Sequence, residues 1–117
     1  MPRIAVTLGD PRGIGPEIVR RALAQPLAAE VTLVGAEDQL EGIPAQERVV
    51  VGRWDGGAGE GSGRGRHART VKAGRIAGHS VEAAAQLALE GEVDAVVTGP
   101  VHKHALHLGG FPYPGHT

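Results

Sequence analysis

With 117 residues, of which 41% are hydrophobic and 21% charged, the chain has the make-up of an ordinary soluble globular protein with material for one modest core. Its formal charge of -1 gives no reason to expect nucleic acid, and the single Phe, Trp and Tyr rule out a base-stacking surface. The lack of cysteine removes disulfides and thiolate chemistry, the apolar runs are too short to span a bilayer, and no signal-peptide pattern opens the chain. A cytoplasmic protein with neither a membrane nor a nucleic-acid partner is therefore expected.

Ile4-Ala5-Val6-Thr7-Leu8 is nearly unbroken in its apolar character, which suits a parallel strand covered on both faces. A loop, Gly9-Asp10-Pro11-Arg12-Gly13-Ile14-Gly15, leads to a helix with Pro16 and Glu17 in its first turn, where a missing N–H costs nothing and a negative charge is favoured. Ile14, Ile18, Ala22 and Leu23 are expected to form its apolar face. The glycines let the backbone approach a ligand and expose N–H groups near the helix start, a geometry suited to phosphate or carboxylate. A plain strand-to-helix turn fits the same residues. The dinucleotide fingerprint does not, because Ile18 stands where a third glycine is needed.

Helix 1 is expected to end near Gln25-Pro26. Val31 to Gly35 and Val49 to Val51 read as further strands, with a short surface helix and solvated acids between them. Gly52 to Arg66 holds seven glycines in fifteen residues and reads as a flexible loop. The G-x-G-x-x-A string at Gly63 to Ala68 is accidental in that context. From Thr70 to Leu89 the spacing predicts a helix with an apolar face of Val71, Ile76, Val81, Ala84, Ala85, Leu87 and Ala88. Gly74 and Gly78 mark either close packing or a late helix start, and Gly91 is a C-terminal stop. Val93 to Thr98 completes an α/β order, three αβα layers around a mostly parallel sheet.

Ligands in such sheets gather beyond the carboxyl ends of the strands, so Asp10, Gly13 and Gly15 are expected to face Thr98 and Lys103 across one crevice. Lys103 also fits a solvated surface position. His102, His104 and His107 invite a metal, but on a helix the first two diverge by about 200°, so they read as surface histidines. His67 and His79 have no evident partners. The proline- and glycine-rich run from Gly109 to Thr117 forbids a helix or central strand and reads as a shaped loop presenting His116 and Thr117. Both also fit a plain chain end.

Three blocks in order, Gly9-Asp10-Pro11 with Gly13 to Glu17, Gly91 to Lys103, and Gly110 to Thr117, resemble the 4-hydroxythreonine-4-phosphate dehydrogenases of vitamin B6 biosynthesis. Arg12 departs from the alanine usual there, and the glycine-rich loop is unusual. The resemblance implies an isocitrate/isopropylmalate dehydrogenase-like fold, incomplete here, with residues 1–117 as the amino-terminal part of a two-lobed homodimeric enzyme. It implies oxidation of the C3 hydroxyl of 4-phosphooxy-L-threonine by NAD or NADP, and decarboxylation to 3-amino-2-oxopropyl phosphate. A divalent metal (Zn, Mg or Co) is implied with ligands beyond residue 117, so that this segment alone is inactive, and His116 and Thr117 are implied substrate-binding residues. Alternatives are a dehydrogenase of 4-phosphorylated threonate or erythronate, and a noncatalytic ligand-binding half-domain.

Overall fold

Residues along a strand point alternately to its two faces, so the apolar runs supply two cores at once. The computed structural model, which describes residues 1–54 and 63–111, shows how they do so. Strands β1 (Arg3–Thr7), β2 (Glu30–Gly35), β3 (Glu47–Val50) and β4 (Ala95–Thr98) pair in parallel, in the order β3-β2-β1-β4. On one face Val6, Leu8, Val31 and Leu33 pack with Val19 and Leu23 of α1 (Gly15–Leu23) and with Leu40 and Ile43, at and beyond the end of α2 (Glu37–Leu40). On the other, Ala5 and Val34 meet Ala84 of α3 (Gly63–Leu89) together with Val93. The result is the expected three-layer αβα arrangement. Each fully buried Val or Leu contributes about 1.5–3 kcal/mol.

The buried face of α1 differs from the expected one. Gly15, Val19 and Leu23, spaced four apart, turn inward, whereas Ile14, Ile18 and Ala22 are exposed. Ile18 and Ala22 instead line an apolar groove beside β4, an edge strand among the described residues, with Val97 and Thr98 on its far wall.

Helix α3 begins at Gly63, seven residues before the expected start, so Gly63 to Arg66 are helical rather than part of a loop. At the other end of the expected flexible loop Gly52 accepts the Glu37 N–H and Trp54 is buried, and residues 55–62 lie outside the described residues. Trp54 is buried against Ala36, Ala73 and Ile76, and the Arg69 guanidinium and Lys72 ammonium stand 5.3 and 5.9 Å from its ring centroid. Gly74 and Gly78 resolve as close packing. The first lies against the backbone of α4 (Lys103–Leu108), the second against the ring of Phe111.

Gly91, at φ +75°, follows the end of α3 as expected. Of the acids read as solvated, Glu37 pairs with Arg53 at 2.8 Å and Asp38 accepts the Trp54 backbone N–H at 2.8 Å. At the amino ends of β1 and β4, Asp94 accepts the Arg3 backbone N–H at 2.9 Å. That bond, with the Arg3 side chain, holds the Asp94 carboxyl below its ordinary range. Among the described residues no helix is long and apolar enough to cross a membrane.

Candidate active site

The chain runs from β1 through α1 to β2, moves on to β3, and returns through α3 on the opposite face to β4, on the other side of β1. The strand order therefore reverses between β1 and β4. In open parallel sheets that reversal leaves a crevice at the carboxyl ends of the two strands, because the connecting helices depart to opposite faces.

Pairing continues past the strands and fixes the two loops that border the crevice. Gly99 donates its N–H to the Thr7 carbonyl at 2.9 Å and lies 3.2 Å from the Thr7 hydroxyl, and Asp10 donates its N–H to the Pro100 carbonyl at 2.9 Å. Gly9 permits this approach with φ +80°, since a side chain there would overlap the Pro100 carbonyl. The Asp10 carboxylate folds the next residues into an Asx turn by accepting the Arg12 backbone N–H at 2.8 Å, and Gly13 donates to the Asp10 carbonyl at 3.0 Å. Gln39 of α2 reaches the Pro11 carbonyl at 2.9 Å.

Arg12 closes the loop with its side chain. Its Nε donates to Asp10 Oδ1 at 3.1 Å, one terminal nitrogen to Oδ2 at 2.9 Å, and the other to the Thr70 hydroxyl of α3 at 3.0 Å. The Thr70 hydroxyl in turn donates to the Arg66 carbonyl at 2.9 Å. Asp10 is 5% exposed, and the hydrogen bond to it raises the Arg12 guanidinium further above its ordinary value. A buried carboxylate held by two parallel N–H bonds is a paired charge, which its desolvation requires.

The crevice is an open cleft of about 520 Å³ lined by Asp10, Arg12, Gly13, Ile14, Pro100, Val101 and His102. Helix α1 opens beside it without a side-chain cap, and its N-cap residue Ile14 is part of the cleft wall. His102 caps α4, its Nδ1 accepting the Ala105 N–H at 3.3 Å. That acceptance places the ring proton of the neutral form on Nε2, giving the crevice an N–H donor.

Of the residues read from the sequence, Asp10 and Gly13 line this cleft. Gly15 and Thr98 line the neighbouring apolar groove, and Lys103 is exposed at the start of α4. His116 and Thr117 lie outside the described residues. His102, a plain surface histidine on the sequence reading, is a cap that borders the cleft. The signal for it is its place just before a short helix, where a side-chain acceptor serves as a cap. His79, with no evident partner in the sequence, lies 3.3 Å from Glu82 and packs edge-on against Phe111.

The described residues contain no cluster of three His, Cys, Asp or Glu able to hold a metal, and the crevice's one carboxylate is bound to Arg12. They do not fit a metal centre by themselves.

The family model described as "Pyridoxal phosphate biosynthetic protein PdxA" matches residues 16–117. The chain belongs to this family. A 4-hydroxythreonine-4-phosphate dehydrogenase of Synechococcus sp. (strain JA-3-3Ab) is 36% identical over all of this chain and 38% of its own length. A D-threonate 4-phosphate dehydrogenase of Salmonella typhimurium is 35% identical over 97% of this chain and 41% of its own. The crystal structure of a 4-hydroxythreonine-4-phosphate dehydrogenase from Klebsiella pneumoniae superposes with a TM-score of 0.76 at 32% identity, covering 99% of this chain and 42% of that one. The segment thus spans about two fifths of these PdxA-family relatives, and its fold is that of their corresponding part.

Proposed function

We propose that this PdxA-family chain forms one wall of the active site of an NAD(P)-dependent dehydrogenase acting on a four-carbon acid phosphorylated at C4. The observation that carries the reading is the crevice at the β1/β4 reversal, bordered by the hydrogen-bonded loops after both strands and lined by the Arg12 cation. Hydride leaves C3 for the nicotinamide and the hydroxyl proton passes to a base. The C1–C2 bond of the resulting 3-oxo acid then breaks with release of carbon dioxide, and C2 takes up a proton. A divalent ion, held by residues other than those described, would supply charge stabilisation at the oxygen on C3. His116 and Thr117 are proposed substrate contacts, and the working form is proposed as a cytoplasmic homodimer.

Two substrates fit this chemistry. The first, 4-phosphooxy-L-threonine, carries an ammonium at C2 and yields 3-amino-2-oxopropyl phosphate, as vitamin B6 synthesis requires. The second, threonate 4-phosphate, carries a hydroxyl at C2. Relatives named for each of the two activities are similar to this chain.

The test is an assay of the full-length dehydrogenase containing this segment, with each substrate, NAD or NADP and a divalent ion, following the reduced nicotinamide. Metal-dependent reduction with at least one substrate is expected. No reduction with either contradicts the reading.

A further inference from the structure

We infer that Phe111, its ring seated in a notch of α3 at Gly78, is a positioning residue that fixes where the segment bearing His116 and Thr117 begins. The inference rests on the dehydrogenase reading above, in which those two residues are the substrate contacts. The backbone at Phe111 is set by the way α4 ends. Gly110 turns the chain at φ +100°, its N–H donates to the His107 carbonyl at 3.2 Å, and the Phe111 N–H returns to the Leu106 carbonyl at 2.8 Å. These two bonds are those of a Schellman motif, and the apolar contact between Phe111 and Leu106 completes it.

The side chain is fixed independently. Gly78 leaves a gap on α3 that the phenyl ring fills, since a Cβ there would overlap Cδ2 and Cε2 and stand 2.6 Å from Cγ. Ala77 and Leu106 pack with the buried ring, and the His79 imidazole meets it edge-on with 5.1 Å between centroids. Two further glycines lock α4 to α3: a Cβ on Gly74 would overlap the Ala105 carbonyl, and one on Gly109 would stand 2.5 Å from the Arg75 nitrogen. Phe111 precedes His116 by five residues and Thr117 by six, and an extended chain of that length covers at most about 20 Å. Displacing Phe111 therefore displaces the volume within which both contacts can meet a ligand, and a misplacement of about 1 Å can cost an enzyme about a hundredfold.

The test measures KM and kcat in the full-length protein containing this segment, with whichever of threonate 4-phosphate and 4-phosphooxy-L-threonine it turns over. Phe111→Ala is expected to raise the substrate KM about tenfold or more while changing kcat much less, as loss of binding contacts requires. Gly78→Ala, which fills the notch, should do the same. Because both changes break one contact, the Gly78→Ala/Phe111→Ala double variant should stay within about twofold of the worse single one. Where the alanine variants do not fold, Phe111→Leu keeps an apolar side chain beside Leu106 without filling the notch, and a rise of about threefold is expected. Val31→Ala thins the core on the opposite face of the sheet, so it should lower stability and leave KM within about twofold. A KM unmoved by whichever Phe111 variant folds and turns over substrate overturns the inference and leaves the dehydrogenase reading standing. So does a Val31→Ala rise as large as that of Phe111→Ala, or a double variant whose two effects multiply. Absence of turnover by the unsubstituted protein with both substrates overturns the dehydrogenase reading, and this inference with it.

Discussion

Replacing Gly9 with alanine is expected to lower the unfolding free energy by about 3 kcal/mol and to separate the two loops that form the crevice. Two costs combine. The residue sits at φ +80°, where an L side chain is strained, and its Cβ would overlap the Pro100 carbonyl oxygen while standing 2.8 Å from the Gly99 carbonyl carbon. Neither neighbour can give way cheaply, because the Pro100 carbonyl accepts the Asp10 N–H and the Gly99 N–H bonds to Thr7. Gly91 separates the two costs. It has φ +75° with nothing within 4 Å of the point a Cβ would occupy, so Gly91→Ala should cost only the conformational part, about 1 kcal/mol. Urea unfolding of both variants checks the difference. Equal midpoints would show that the loop contact contributes nothing.

Gly74→Ala is expected to destabilise by about 2–3 kcal/mol, although alanine is the better helix former by about 1 kcal/mol. The added carbon would overlap the carbonyl group of Ala105 and lie 3.0 Å from the Leu106 nitrogen, so α4 would have to move away from α3. That movement carries His102 with it, since its imidazole caps α4 while lining the crevice. The variant should therefore show a lower urea midpoint together with altered histidine resonances from His102. A stabilised protein would mean that α3 and α4 do not pack through Gly74.

Strands and layer order are legible in the sequence because unbroken Val, Leu, Ile and Ala runs have few other uses in a chain nearly free of aromatic residues. The face of α1 is not, because Ile14, Ile18 and Ala22 recur at helical spacing just as Val19 and Leu23 do, and periodicity cannot say which stripe meets the sheet. The early start of α3 is hidden by its glycines, whose low helix propensity reads as a loop. In the crevice, the loop from Gly9 to Gly13 is visible from its turn residues, but the return of Arg12 onto Asp10 is not, since spacing alone does not fix a long side chain's direction. Lys103 and His102 differ by one position, but His102 is the extended-backbone cap that borders the cleft, whereas Lys103 opens the helix and does not line it.

Everything proposed for this chain depends on the crevice between the loops after β1 and β4 receiving the phosphorylated acid. A crystal structure of the protein with threonate 4-phosphate bound tests that most directly. A ligand oxygen within hydrogen-bond distance of Arg12, with the Arg12–Asp10 pair intact, is the expected result. A ligand seated elsewhere, such as the cleft by Gln25 and Arg48 near the amino ends of β2 and β3, with the crevice left vacant, would contradict it.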